Sequence, residues 1–504
     1  MSNKKTVLAA GVALAIVAYG GATWYMGQKA EASYQEAVTR LGKLIGEKTI
    51  LTNEYRKGFF SADARLVLEW KQPQVEQEHD GDETAEPPKP MHLVVNSHVR
   101  HGPMAGGRFA AAATVSNFAI EGMDEKSRQV LAKATAPTLT TVHHLGGSHS
   151  LRFVLPQGEL GDEEMTMSWQ ELIMESKLSD NNQHAKGDLR WPGLSISALT
   201  KNTDEDEDED DEADPEDLEE GQAAEALAAT RSLGERTLIS FEGLDGSFET
   251  RMLEGLWGMG PGKGSMNLAR LLVSNTPAGG GETKTVADLK DFKGNSVVEA
   301  DKATLGMVNV IKAKGRIGEL DFDSLELEEK LQRLDMEALR NFQRYIIDAY
   351  YAKNTDQAMP APEERGPELL MENAPRLIAA KPAYSMKLSA TYLGKTGMLE
   401  YGAEVQNPPE AEQIQQMGFM PVLVQSGVLH ANASLPKSWI GPIMKSTGQD
   451  EVAPEEIEAM LGMAEASGYA KLEGENLTSS FRMQGGKMEL NGKQMPLPFG
   501  ALNQ

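Results

Sequence analysis

Three stretches of the chain hold residue types that could do chemistry. In Gly258-Met259-Gly260-Pro261-Gly262-Lys263-Gly264-Ser265 the glycine density and the lysine suggest a phosphate loop. Such a loop ending at Lys263 needs glycine at 257 and Ser or Thr at 264, so that bare backbone N–H groups and a hydroxyl can reach the phosphates and their metal. The chain has Trp257 and Gly264 there. A dinucleotide turn G-x-G-x-x-G starting at Gly258 also fails, because its third glycine would be Lys263. The stretch reads as a glycine-rich turn. In TVHHLGGSHS, His143, His144 and His149 cluster beside Ser148 and Ser150. No H-E-x-x-H occurs, and Gly147-Ser148-His149 lacks the downstream glycine of a nucleophile elbow. This reads as a surface histidine loop with at most adventitious metal binding. From Asp204 to Glu220, 14 of 17 residues are carboxylates. Calcium loops space their ligands around a turn glycine, which is missing here, so this run reads as a solvated, self-repelling loop. No catalytic, cofactor-binding or metal-binding residue is assigned, and no cofactor or enzymatic activity is expected.

Composition narrows the classes further. There is no cysteine, which removes thiolate metal sites, disulfides and cysteine nucleophiles. Lys+Arg 49 against Asp+Glu 75 leaves a net charge of −26, which argues against a nucleic-acid partner. The 25 methionines are scattered and suggest a softly packed core more than a multi-thioether site.

The elements that must carry the chain begin with its N-terminus. Lys4 and Lys5 precede an uncharged run of 21 residues, Thr6 to Met26. At about 1.5 Å per helical residue the run covers the roughly 30 Å of a bilayer core. Trp24 and Tyr25 stand where an interfacial aromatic belt lies, and Lys29 follows. A signal peptide cleaved at Ala30-Glu31-Ala32 is the competing reading. The run is longer than a signal-peptide core, so an uncleaved single-pass anchor is expected, with residues 1–5 cytoplasmic. Residues 27–47 read as a juxtamembrane amphipathic helix.

Beyond it, period-two alternation predicts antiparallel strands at 63–70, 165–169, 384–392, 399–405 and 429–435, with hairpins at Gly394–Gly397 and Gly485-Gly486. Helices are predicted from Met336, capped by Asp335, and from Pro454 to about Gly468. The expected divisions are a β-rich region 48–202, an acidic insert 203–221, a β-rich region 222–353 ending in a helix, a linker 354–376, and C-terminal strands and helix 377–504. A second loop is expected at 72–90. The fold class is α+β, mostly antiparallel sheet with a few packed helices, preceded by one transmembrane helix.

Several short motifs occur in order along the chain: GGATWYMGQKAE, Tyr55-x-x-Gly58-x-Phe60-Ser61, His101-Gly102-Pro103, Leu334-Asp335-x-x-Ala338-Leu339, and Asn491-Gly492-Lys493. In this order they resemble the bacterial YdgA-like family, whose members carry a domain of unknown function. The resemblance implies a Gram-negative inner-membrane protein with a large periplasmic domain that self-associates, and it offers no catalytic residues. The expected function is a non-catalytic membrane-anchored scaffold, dimeric through sheet edges or apolar faces. The alternative is a carrier with a lipid or other hydrophobic ligand in an apolar sheet groove, and a hydrolase ranks last. Residues 204–220 contribute no buried area on this reading. Deleting them should leave the thermal midpoint within about 2 °C, and a fall of many degrees in a melting curve would show that the segment packs.

Overall fold

The computed structural model describes residues 2–70, 90–107, 109–123, 125–132, 134–162, 164–200, 234–256, 258–350, 362–446 and 453–495, with the side chains of residues 2–16, 44, 70, 126, 127, 130, 349, 350, 362–364, 411, 415, 419 and 420 outside this set. The acidic insert and nearly all of the loop 72–90 lie outside the described residues. Much of the expected anchor, 6–26, also falls on side chains outside them. Among the described residues no helix is long and apolar enough to cross a membrane.

A long helix, α1 (Ser2–Ile45), opens the chain. The first half of the sheet comprises β1 (Ile50–Lys57), β2 (Ser61–Trp70), β3 (Met91–His101), β4 (Ala112–Glu121), β5 (Thr138–His143), β6 (His149–Leu155), β7 (Gly158–Gly161), β8 (Met165–Trp169), β9 (Leu172–Ser179) and β10 (His184–Thr200), with helix α2 (Glu125–Leu131) after β4. Five long strands follow: β11 (Glu235–Arg251), β12 (Gly262–Pro277), β13 (Lys284–Ala300), β14 (Thr304–Ile317) and β15 (Leu320–Asp335). Helices α3 (Met336–Tyr350) and α4 (Pro362–Ala379) lead to β16 (Ala383–Tyr392) and β17 (Lys395–Val405). Then come α5 (Ala411–Met417), α6 (Phe419–Ser426), β18 (Gly427–Pro436), α7 (Ile440–Ser446) and α8 (Pro454–Ala466). The described chain closes with β19 (Lys471–Glu473), β20 (Asn476–Gln484), β21 (Lys487–Leu490) and β22 (Lys493–Met495).

Among the described residues every strand pairing is antiparallel, and the 22 strands belong to one sheet. The chain winds mostly as a meander, so hairpins suffice to connect it. The Gly485-Gly486 hairpin forms as expected, with both residues at positive φ. The other is tighter than expected: Tyr392 pairs with Lys395, leaving Leu393 and Gly394 as a two-residue turn at positive φ. Asp335 caps α3, its Oδ1 accepting the Ala338 N–H at 2.9 Å. The segment 354–376 is not simply a linker. From Pro362 it is α4, which contains Pro367 and Pro375 and buries Ala374 and Ile378 with Val405, Ile414 and Val422. Burial of that apolar stripe outweighs the helix-breaking tendency of two prolines. The glycine-rich stretch 258–265 is a turn only as far as Pro261, and Gly262 already begins β12.

One line across the sheet decides which side is apolar. Phe241 pairs with Leu194, so strict alternation would send Trp191 to the opposite face. The two rings nevertheless meet edge to face, with centroids 4.9 Å apart. The alternation therefore flips where the register sets Pro192 opposite Gly243 (φ 66), Gly243 opposite Ala269, and Ala269 opposite Asp291 (φ 54). A proline without its N–H and a left-handed glycine make this crease possible. It places Leu189, Trp191, Leu194 and Ile196 on one side.

The helices gather on this apolar side, at both ends of the strands. At one end α3 packs its Met336 and Leu339 with Leu305, Val298 and Leu256. At the other, Trp439 covers Gly397, meets Phe322 and Tyr392 edge to face, and donates its indole N–H to the Tyr392 carbonyl at 3.0 Å. Between these rims the strands form the floor of a trough. Helix α1, laid along β1, also touches α3. In a flat sheet β1 and β15 would stand about 58 Å apart at about 4.8 Å per strand, so the strands must curve.

A Cβ on Gly243 would lie 2.8 Å from the Cβ of Ala269, at a φ that side chains rarely adopt. Gly243→Val should lower stability by about 1–3 kcal/mol in urea titrations. Gly294→Ala, whose Cβ would meet nothing nearer than Met266 Cε at 3.6 Å, should be neutral within about 0.5 kcal/mol. Equal midpoints for the two variants would contradict the crease.

Candidate functional site

Following the register sideways gives the floor of the trough. One row runs Tyr55, Ala64, Ser97, Ser116, Leu139, Phe153, Met174, Leu189, Gly246, Met266, Gly294, Ile311, Leu327, Leu388, Leu399, Ala433, Ser479. It crosses 17 strands without a charge. The opposite face is ionic, with Arg270 against Asp288 at 2.7 Å, Lys312 against Glu326 at 3.1 Å, and Arg152 paired with Glu175. Leu238, Leu272 and Val297 are scattered among these pairs. On the floor, Met174, Phe248, Met266, Leu388, Leu399 and Tyr401 each remain 38–43 % exposed. Scattered exposed apolar residues are ordinary, but a connected band on one face marks a binding surface.

A single acid interrupts the band. On β15, Leu325, Leu327, Glu329 and Leu331 share the trough face, while Glu326, Glu328 and Lys330 point away. The Glu329 carboxylate accepts the Asn309 Nδ2–H at 3.1 Å and the Tyr384 hydroxyl at 3.2 Å. The neighbouring Tyr401 hydroxyl, then burial, then the negative charge of Glu329, push the Tyr384 phenol up to about 12. Beside Glu329 lies a cavity of about 300 Å³, where Gly264 and Gly294 bare the backbone and Met266, Ser296, Asn309 and Ile311 contribute side chains.

At the other end of the sheet α1 is clamped to the strands. Lys57 pairs with Glu31 at 2.5 Å, Tyr34 and Tyr55 stack at 5.1 Å, and Ala30 packs on Ala62, Val99 and Ala112. The turn His101-Gly102 grips the helix at Thr23 and Gly27. His101 Nδ1 lies 3.2 Å from the Thr23 carbonyl, and a Cβ on Gly27 would collide with the His101 ring at 2.7 Å. Around this grip Tyr19, Trp24, Tyr25, Phe59, Phe60, Met104 and Phe109 are all exposed. Phe59 reaches back to within 3.8 Å of a Cβ position on Gly20. Phe59 and Phe60 thus belong to a surface collar and not to the core.

The histidine cluster straddles the β5–β6 turn. His143 Nδ1 and His149 Nδ1 stand 2.8 Å apart, and His144 Nε2 is 2.8 Å from Ser150 Oγ. His143 and His149 are partly buried in the floor, a correction to the expected surface loop. Among the described residues no group of three or more His, Cys, Asp or Glu side chains could hold a metal. The signal for Glu329 was in the sequence, as a charge in an apolar phase of the alternation LELEEKL. Asn309 and Tyr384 had no such signal, because register alone brings them to it.

The fold defines an α+β protein built on one broad antiparallel sheet whose apolar side is only partly covered. The chain belongs to a bacterial family of unknown function, DUF945, whose family model matches residues 3–498. No curated protein and no solved structure matches it.

Burial, followed by the charges His149 and His144 would carry, lowers His143 to about 4. The folded chain then binds fewer protons than the unfolded chain below the ordinary histidine value. Stability from this group is complete above about pH 6.5 and is lost as pH falls toward 4, by about 3 kcal/mol. His143→Gln should flatten that part of a stability–pH profile, and an unchanged slope would contradict the burial argument.

Proposed function

We propose that this chain is a non-catalytic, membrane-tethered carrier that lays the acyl chains of a lipid along the apolar trough. The observation that carries the reading is the uncharged row across the floor. From β10 to β20 the floor is about 43 Å wide at about 4.8 Å per strand. One acyl chain needs about 15 Å, half of a bilayer core. Such a band binds extended apolar chains without demanding one shape.

The proposed setting is the inner membrane, with α1 as a single-pass anchor and the sheet on the periplasmic side. The aromatic collar supports it. Trp, Tyr and Phe side chains exposed together where a lysine-led helix leaves the domain suit the headgroup level of a bilayer. The collar would seat the trough next to its source of lipid.

A self-associating scaffold ranks second. The free edge strands do not favour it: β19 and β22 have three residues each, β7 has four, and β1 carries Glu54, Arg56 and Lys57. Short and charged edges resist strand pairing between copies. A second copy would therefore have to use the trough face itself.

Mass spectrometry of the detergent-extracted full chain should show diacyl lipid bound in near-stoichiometric amount. Leu388→Asp with Leu399→Asp, which puts two charges on the floor, should lower bound lipid at least about tenfold while leaving the helical and strand content intact. A wild-type chain free of lipid, with a dimer whose interface maps to the floor, would replace this reading with the scaffold.

A further inference from the structure

We infer that Glu329 selects the occupant of the trough, and that this occupant is a lipid whose headgroup carries a primary ammonium. The inference rests on the carrier reading above and adds a headgroup to it. Glu329 is the one charged side chain on the trough face through the middle of β12 to β18, and among the described residues no Lys, Arg or His pairs with it. Its two hydrogen-bond partners, Asn309 and Tyr384, are neutral donors. Tyr384 stays protonated well above neutral pH, so its hydroxyl remains a donor to the Glu329 carboxylate.

A carboxylate offers about four acceptor positions, and these two donors fill only two of them. Glu329 lies beside Leu327, Leu331 and Met386 on this face, and its remaining oxygen positions are free to accept hydrogen bonds from a cation. The adjacent cavity of about 300 Å³ leaves room for one, with Ser296 at its wall. Hydrogen bonds between an ammonium and a carboxylate are stronger than those between neutral groups. A primary ammonium supplies three N–H donors and fits the open positions, whereas a quaternary ammonium supplies none. An anionic headgroup would meet like charge, which is how a site rejects a competitor. A divalent metal is a poor alternative, because calcium takes six to eight oxygen ligands and magnesium demands an octahedron. No group of three or more acidic or His side chains exists here among the described residues.

The test presents the full-length protein in non-ionic detergent with equimolar phosphatidylethanolamine, phosphatidylglycerol and phosphatidylcholine of identical acyl chains. Bound lipid is then quantified by mass spectrometry. The wild-type chain should enrich phosphatidylethanolamine about tenfold over each of the other two. Glu329→Gln should bind as much lipid in total but lose the preference, and Glu329→Asp should keep part of it. Equal binding of the three lipids by the wild-type chain, or an undiminished preference in Glu329→Gln, would overturn the headgroup inference and leave the carrier intact. If no lipid of any class binds, both fall. The wild-type competition decides even if the Gln variant does not fold.

Discussion

The structure depends on keeping one side of a very broad sheet apolar across strands whose own sequences change phase. Alternation alone would have moved the apolar set of β10 and β11 from one face to the other half-way along each strand. The crease at Pro192, Gly243, Ala269 and Asp291 prevents this by inverting the pleat at the same level in four neighbouring strands. A one-residue slip in any of them would bring charge into the trough, so register and surface chemistry are fixed together. The ion pairs on the far face reinforce this choice. Pairs such as Lys312–Glu326 and Arg152–Glu175 add little stability each, yet burying any one of them in a slipped register would be expensive.

A sheet of this breadth cannot cover itself. Apart from α1, which packs over the floor at the β1–β4 end, the helices do not lie over the floor but stand at the strand ends, where α3 and α4 form one rim and Trp439 anchors the other. The result is a core split into small clusters and a floor left half-open. Small clusters such as Ala62, Val99 and Ala112 hold α1 in place, and the clash that any Cβ on Gly27 would make with His101 shows how closely helix and turn approach. The same grip sets the exposed aromatic collar at a fixed height along α1.

Much of the architecture was legible in the sequence because it is local. The alternation of Leu66 and Leu68 with Arg65, Val67 and Glu69 marked β2, and the same pattern at 384–392 and 399–405 marked β16 and β17. Asp335 and Pro454 marked two helix starts correctly. Helix α4 was missed because Pro367 and Pro375 are strong local signals against a helix, while the burial that overrides them involves Val405 and Val422. The trough was only a general expectation. Its row joins residues as distant as Tyr55 and Ser479, and the flip at Gly243 cannot be seen without the partner strand. Glu329 could have been flagged as an acid out of phase, but its setting required the register of β14 to β17.

The central claim, that the trough face is where acyl chains lie, is tested most directly by photolabelling. A phospholipid with a diazirine near the middle of one acyl chain would be irradiated with the full-length protein, and the adducts mapped by peptide mass spectrometry. The account predicts labels at Met266, Leu388 and Leu399, with their neighbours Ser265, Ser389 and Met398 on the opposite face unlabelled. Labels spread equally over both faces, or confined to α1, would contradict it.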